Sequence, residues 1–264
     1  MTPRSLLAAT SYEFRMQVRR RAAWIAVAVG AGLALAATLN AEHDPGALPA
    51  GRSAAFMVGN LFLIPVVFGV LLSDRLRRER RLQVDEVLDG LPAGEGIRLW
   101  GKFLGAGAGT AFLLLVAYVA DTVLVSLIWR DVTPALAMMP VAFAAIVLPG
   151  LTFVAGLTLL LTEWLPAPAF SVLFVIYWVW GNVAPSDQVG PTPSCTLLSP
   201  IGHYASLAFF RQPTFLVGHD ECYRLGLRMA TVGQGIASIA LLAACGVGAV
   251  ALLHIYRAAR TATR

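Results

Sequence analysis

Charged side chains are scarce in this sequence, where Asp, Glu, Lys and Arg make up only 13% of 264 residues. Soluble domains carry about a quarter charged residues, so the composition excludes an ordinary globular enzyme. Apolar residues reach 58%. Six stretches of roughly 17 to 28 residues are almost uncharged, and each is long enough to cross a hydrocarbon core of about 30 Å as a helix. The sequence therefore predicts a polytopic membrane protein.

Cysteine and lysine are scarce too. The three cysteines form no Cys-x-x-Cys pair, which excludes a zinc ribbon or a thioredoxin-like motif. Lys102 is the one lysine among twenty cations, and the arginines cluster at span ends, so the net charge of +5 indicates membrane orientation rather than nucleic-acid binding. The sequence has no His-Glu-x-x-His or Gly-x-Ser-x-Gly motif. We therefore expect no catalytic residues, no metal site and no nucleic-acid partner.

The apolar stretches predict an all-α fold with six transmembrane helices in a single domain, residues 1–264. Only helices fit, because lipid offers no partner for the backbone of an open strand. Around the spans we expect an interfacial helix over 1–21, a cytoplasmic loop over 73–102 and an extracytoplasmic loop over 182–228. The predicted spans are residues 22–39, 54–72, 103–128, 135–162, 165–181 and 229–253.

Arginine and lysine are distributed unevenly between the two sides of this bundle. The N-terminus, the 73–102 loop and the C-terminus hold fifteen of the twenty cations, and the opposite side holds five. Cytoplasmic segments carry the excess of cations, so both termini are predicted to be cytoplasmic. All six tryptophans lie near predicted span ends, as indoles do at a lipid–water interface. We expect a multi-pass protein of the cytoplasmic membrane.

The segment before the first span has two interpretations. Leu7, Phe14 and Val18 share one helical face, while Glu13 and Arg15 lie off it. This periodicity favours an amphipathic helix that rests in the inner headgroup region. The alternative is a disordered, positively charged tail.

The cytoplasmic loop contains the most informative pattern in the chain. Apolar residues recur there at i, i+3, i+4 and i+7, and acidic residues occupy the other face, which predicts a short amphipathic helix ended by Pro92. The apolar residues are Val84, Val87, Leu88 and Leu91, and the acidic residues are Asp85, Glu86 and Asp89. The apolar face either docks on a cytoplasmic partner or packs against the chain's own helix ends.

The third predicted span carries two further features. Asp121 is its only charged residue, and an intramembrane carboxylate usually faces a cavity or a partner, which makes Asp121 a candidate pathway residue. The alternative is a carboxylate that extends to the outer surface. Gly101, Gly105 and Gly109 repeat at every fourth position, and this spacing allows another helix to approach closely.

The outer loop contains an apolar stretch, residues 201–210, that is too short to span and is expected to dip back into the outer leaflet. Cys195 and Cys222 lie in the same loop, in an oxidising compartment. A disulfide between them and two unrelated thiols both fit the sequence. Cys245 lies in the sixth span, and we expect its side chain to be an ordinary packed residue.

Residues 96–103 match most of the sequence motif of a phosphate-binding loop. Gly96, Gly101 and Lys102 have the required spacing, but Phe103 stands where Ser or Thr must bind magnesium. The motif also needs a preceding strand, whereas here it opens a membrane span. We therefore expect this chain to bind no nucleotide.

The order of these features resembles the type-2 permease family of ATP-binding cassette exporters. Members of that family show an acidic-basic cluster, then an amphipathic helix ending in proline, then Gly-Lys at the next span. Here the cluster is Arg78-Glu79-Arg80-Arg81, the helix ends at Pro92, and Gly101-Lys102 follows. Two positions depart from the family pattern: Gln83-Val84 replaces a small Gly-Thr, and Val87-Leu88 stands where two leucines are common.

The resemblance implies a transport subunit rather than an enzyme. The 84–91 helix would be a coupling helix seated in a groove of a separate ATPase subunit, within a complex of two permeases and two ATPases. ATP and magnesium would bind the ATPase, and this chain would bind no cofactor. By the same resemblance, Glu79 and Glu86 would contact or orient the ATPase interface, Val87, Leu88 and Leu91 would fill its groove, and Lys102 would anchor the third span.

Family resemblance leaves the substrate open among drugs, antibiotics, lipids, peptides and polysaccharides, and some members serve metal-centre or cofactor maturation. Largely apolar spans with one buried acid favour a hydrophobic or amphipathic substrate. The competing class is a stand-alone ion-coupled carrier or intramembrane enzyme. Carriers usually have internal repeats, and none is evident between spans one to three and four to six.

We predict a disulfide between Cys195 and Cys222, because both lie in one extracytoplasmic loop. Closing a loop of this size stabilises a protein by about 3 kcal/mol in the chain-entropy description. Mass spectrometry of the unreduced protein should find a linked peptide pair. Full alkylation of both thiols without reductant would contradict the prediction.

Overall fold

The structure, a computed structural model, describes residues 3–40, 50–61, 63–81, 94–129, 133–182, 196–212 and 230–262. All regular secondary structure in these ranges is helical, which confirms the predicted all-α class. Two π-helical turns, Phe143–Val147 and Ser206–Phe210, follow α6 and α9. The helices are α1 (Pro3–Arg19), α2 (Arg21–Leu39), α3 (Ala50–Gly59), α4 (Ile64–Arg81), α5 (Glu95–Trp129), α6 (Thr133–Ala142), α7 (Leu148–Trp164), α8 (Ala167–Asn182), α9 (His203–Ala205) and α10 (Val232–Ala262).

Five helical segments in the described residues are long and apolar enough to cross a membrane, and they indicate a membrane protein. The fifth predicted span corresponds to α8, which has 16 residues and is about 24 Å long at 1.5 Å per residue. It is therefore shorter than the other apolar segments. The five segments are Arg21–Leu39, Ala50–Asp74, Glu95–Ile128, Ala135–Trp164 and Val232–Arg260.

Several helix limits differ from the predicted spans of 54–72, 103–128 and 229–253. Helix α5 begins at Glu95 and α10 continues to Ala262. Hydropathy detects only the part of a helix that lies in lipid, whereas Arg and Lys have high helix propensity and continue a helix into water. The second span is two helices, α3 and α4, which are separated at residues 60–63.

Two prolines lie at irregular points of the spans, whereas Pro140 lies inside α6. Pro65 is the second residue of α4, where the missing N–H costs no hydrogen bond. Pro149 is the second residue of α7 and directly follows the Phe143–Val147 turn. Because proline cannot donate to the carbonyl four residues earlier, a π-helical turn absorbs the mismatch at this point.

Helix α1 packs along the first half of α5, and the glycine repeat makes this contact possible. Gly101, Gly105 and Gly109 face Ala9, Glu13 and Gln17 in that order, so the two helices run in the same direction. A Cβ atom added at Gly105 would lie 2.5 Å from the Glu13 Cβ atom and 2.5 Å from the Thr10 carbonyl oxygen. The predicted close approach at these glycines is confirmed.

The face of α1 that meets α5 contains buried polar residues as well as Ala9 and Phe14. Glu13 is 7% exposed and Gln17 is 3% exposed, whereas Leu7 is 68% exposed. The Gln17 side-chain amide donates a hydrogen bond to Thr110 Oγ1 at 3.1 Å. Leu7 points away from α5, whereas the Phe14 ring packs on Phe112 of α5 with ring centroids 5.9 Å apart.

Helices α7 and α10 form the closest helix pair in the rest of the bundle. Gly156 and Gly246 face one another so closely that a Cβ atom on Gly156 would lie 2.1 Å from the Gly246 carbonyl oxygen. Cys245, one residue earlier, is exposed. The expectation that Cys245 is packed is therefore wrong, because the adjacent Gly246 is the residue that turns toward α7.

Helix α8 runs antiparallel to α4. Its Ser171 hydroxyl lies 3.2 Å from the Ser73 hydroxyl, and further along α8 the Phe174 ring packs on Gly69. Phe174 stacks on Phe170 with ring centroids 5.2 Å apart. Thus α8 follows α4 from the level of Ser73 toward the opposite end of the bundle.

The apolar stretch 201–210 folds into the bundle. His203 and Phe210 are 3% and 7% exposed, and Gly202 has a φ angle of 71°, which glycine adopts without strain. A Cβ atom at Gly202 would also lie 2.8 Å from the Ile146 carbonyl oxygen. This segment therefore packs directly on the π-helical turn that precedes α7.

We expect Gly105→Ala to destabilise the protein by about 1–3 kcal/mol, because its new methyl group overlaps the α1 backbone. Gly107→Ala is the matched control, since a Cβ atom there has no neighbour within 4 Å. Thermal unfolding in detergent should show a lower midpoint for Gly105→Ala only. Equal midpoints for the two variants would contradict the α1–α5 packing.

Candidate functional site

Among the described residues, three groups of ion pairs lie at one end of the bundle, which we call the charged end. It contains the α1–α2 junction, the end of α4, the start of α5 and the ends of α7 and α10. Charged side chains collect there because burying an unpaired charge among apolar helices is costly. The ion pairs join Lys102 to Glu79, Arg257 to Glu95 and Glu163, and Arg20 to Asp74.

Lys102 on α5 binds Glu79 on α4. The Nζ atom lies 2.5 Å from the Glu79 Oε2 atom, and the side chains are 17% and 18% exposed. Limited exposure weakens solvent screening, so this contact is stronger than a typical surface ion pair. The predicted anchor Lys102 therefore binds within the chain to the predicted coupling residue Glu79.

Arg257 on α10 binds two carboxylates at once. Its Nη2 atom lies 2.6 Å from Glu163 Oε2 at the end of α7, and its Nη1 atom lies 3.2 Å from Glu95 Oε1 at the start of α5. A planar guanidinium has separate N–H donors for two acceptors, which a lysine ammonium cannot place in the same geometry. One side chain thus connects three helices.

Arg20 fixes the junction between α1 and α2. Its backbone is extended, with φ −75° and ψ 112°, and it separates the two helices. Its Nη1 atom donates to the Leu71 carbonyl oxygen at 2.9 Å, and its Nη2 atom lies 3.5 Å from Asp74 Oδ2. The N-terminal helix is therefore attached to α4 as well as to α5.

Two of these ion pairs lie on either side of the predicted coupling helix. Glu79 lies just before residues 82–93 and Glu95 lies just after them, and each is bound at the charged end. The flanks of the segment are therefore held in place by charge. Outside the described residues lie Glu86, Val87, Leu88 and Leu91, together with the disulfide candidates Cys195 and Cys222.

Asp121 lies on the inward side of α5, with 9% of its surface exposed. No ion pair or hydrogen bond joins it to another described residue. The next residue, Thr122, is buried and donates to the Tyr118 carbonyl oxygen at 2.8 Å. Its role as a pathway residue stays a prediction.

A small apolar crevice lies where three irregular segments meet. Its empty space is about 350 Å³, including the part open to the outside, and Asp121 is not among its lining residues. Gly59 comes from the break in the second span, Ile146 from the π-helical turn and Pro200 from the segment before α9. Trp178 on α8 also lines it, and the indole N–H of Trp178 is buried without a hydrogen-bond partner.

The sequence interpretation missed Arg257, Glu163 and Glu95 as a site. One signal was available: Glu163 lies in the last turn of α7, where the negative end of the helix dipole disfavours an anion. A carboxylate in that position is therefore expected to lie near a cation. Arg257 becomes this cation because α10 packs beside α7. Sequence periodicity does not predict how the two helices pack.

Comparisons with protein-family models, curated proteins and solved structures find no match to this chain.

We expect Lys102→Met to lower the free energy of unfolding by about 1–3 kcal/mol, because it removes a charge-assisted hydrogen bond and leaves the Glu79 carboxylate without this partner. The exchanged pair Lys102→Glu with Glu79→Lys should recover part of the loss. Denaturation in detergent micelles measures both. If Lys102→Met is as stable as the parent protein, the pair contributes nothing to the fold.

Proposed function

We propose that this chain is the membrane-spanning permease subunit of an ATP-binding cassette exporter, which forms the export pathway for a hydrophobic or amphipathic substrate. The observation that carries the proposal is the amphipathic repeat 84–91, whose flanks Glu79 and Glu95 are bound at the charged end. In this proposal the apolar residues of the repeat supply the contact with a partner.

In this proposal the partner is a separate ATPase subunit, which binds ATP and magnesium. Closure of an ATPase dimer on ATP would move the coupling helices of two permeases, and these would open a path between their second and fifth spans. The permeases form a homodimer or a heterodimer. Substrate classes that fit apolar spans are drugs, antibiotics, lipids and peptides.

In this proposal the charged end lies in the cytoplasm, and α8 crosses the membrane as the fifth of six spans. Fifteen of the twenty cations belong to segments that lead to this end, which supports that orientation. A helix of 16 residues spans a membrane if the bilayer thins or flanking residues extend to the interface. Six spans would leave both termini on the cytoplasmic side.

Helix α1 runs alongside the start of α5, and in this proposal its outer surface would meet the inner headgroup region. Its outer surface combines exposed Leu7, Tyr12 and Met16 with exposed Arg15 and Arg19. Apolar side chains beside cations suit the boundary between acyl chains and anionic headgroups. Membrane lipid is therefore a further partner in this proposal.

A stand-alone ion-coupled carrier is the second candidate, and the buried carboxylate of Asp121 favours it, since such groups bind protons or cations in carriers. An intramembrane enzyme and a permease that serves metal-centre or cofactor maturation are the remaining alternatives. Copurification with a companion of ATPase-domain size separates the exporter from the carrier and the enzyme.

We expect Leu88→Asp to abolish both ATPase association and export, because it places a charge in an apolar contact where it cannot be paired. Expression and membrane insertion should stay normal, since residue 88 lies outside the apolar spans. Asp89→Asn, on the opposite face of the predicted helix, is the matched control and should retain both activities. Copurification and transport assays in membrane vesicles measure the effect.

Two results would count against the exporter. Leu88→Asp could leave complex formation and export intact, or it could prevent insertion. In either case the 84–91 helix would be a structural connector of this chain, and the proposal would lose its main support.

A further inference from the structure

We infer that Arg257 is a positioning residue for the coupling segment: it keeps a permanent contact with Glu163 and a releasable contact with Glu95, and thereby connects the start of α5 to the helix pair α7–α10. We call the contacts of Arg257 with Glu163 and Glu95 the clamp. Its functional meaning rests on the proposed exporter function, because only a moving coupling helix needs such a connection. The clamp itself rests on the described contacts.

The two contacts of Arg257 differ in strength. The Glu163 contact is 2.6 Å long and its carboxylate side chain is 13% exposed, whereas the Glu95 contact is 3.2 Å long with 38% exposure. Shorter, less exposed charge-assisted bonds are the stronger ones. Arg257 should therefore stay on Glu163 when the two contacts are separated.

Helix dipoles increase this asymmetry. Glu163 lies in the last turn of α7, where the dipole disfavours an anion, so Glu163 depends on Arg257 for compensation. Glu95 lies in the first turn of α5, where the dipole stabilises an anion whether or not Arg257 is bound. Releasing Glu95 is therefore the less costly of the two changes.

We expect α7 and α10 to move together when Arg257 is displaced. They meet backbone to backbone at Gly156 and Gly246. Next to the Arg257 contacts, the rings of Trp164 and Tyr256 pack edge to face with centroids 5.7 Å apart. A displacement carried by Arg257 thus reaches both helices over a long contact.

On the other flank of the coupling segment, Lys102 ties Glu79 of α4 to α5. The α4 flank is therefore held by a partly buried pair, whereas the α5 flank is held by the more exposed Glu95 contact.

Hydrogen–deuterium exchange on the full-length chain, purified in detergent without any ATPase, tests the clamp. Glu95→Gln should accelerate exchange of residues 97–102 of α5 about fivefold, as expected for losing one partly exposed ion pair, and should leave the last turn of α7 unchanged. Arg257→Gln should accelerate both regions. Arg15→Gln, an exposed arginine on α1, is the control and should change neither.

Arg257→Lys distinguishes positioning from simple structural support. An ammonium is a single point charge and should keep the Glu163 contact while losing the one to Glu95. We expect it to behave like Glu95→Gln, even if Arg257→Gln fails to fold. The clamp is overturned if Glu95→Gln and Arg257→Lys both exchange like the parent protein, or if Arg257→Lys loosens α7 as much as α5.

This measurement needs no partner protein, so it fails or succeeds independently of the exporter proposal. Absence of an ATPase companion, together with intact export in Leu88→Asp, would overturn the exporter and leave the clamp as a contact within the bundle. Unchanged exchange beside a copurifying ATPase would overturn the clamp and leave the exporter.

Discussion

Hydrocarbon offers no hydrogen-bond partner to a peptide group, and the architecture of this protein follows from that constraint. Every described segment long enough to cross a membrane is helical, because a helix satisfies its own backbone. Helices in lipid gain little from burying apolar surface, so they associate where their backbones can approach closely. Glycine provides that approach twice, between α1 and α5 and between α7 and α10.

The same constraint sends the charges to the ends of the bundle, where they organise a site. Lys102, Arg257 and Arg20 each join segments that are far apart in sequence. Glu79 and Glu95 flank the predicted coupling segment, and Glu163 ends a neighbouring helix. These ion pairs connect the helix ends at the charged end to one another.

Three irregular segments of the described bundle meet at one place. The break in the second span, the π-helical turn before α7 and the turn at Gly202 all border the crevice lined by Trp178. Non-helical backbone at membrane depth is tolerated where it is enclosed by protein or lines a cavity. Pro65 and Pro149 lie at two of these points.

The sequence alone determined the all-helical class and the positions of the long apolar segments, because hydropathy and helical periodicity are local properties. It also indicated the glycine contact surface on α5, since the spacing of Gly101, Gly105 and Gly109 is readable without a partner. The sequence did not show which helix packs on this surface. Helix α1 meets it partly through Glu13 and Gln17, which no apolar pattern selects.

The ion pairs were decided by tertiary structure alone. Glu163 and Arg257 are 94 residues apart, and only the parallel packing of α7 and α10 brings their side chains together. The prediction for Cys245 was wrong for the same reason. Adjacent residues of a helix point in different directions, so Gly246 faces α7 whereas Cys245 is exposed. Local sequence specifies which helices form, while the contacts between helices depend on rotation and register, which only the packed bundle fixes.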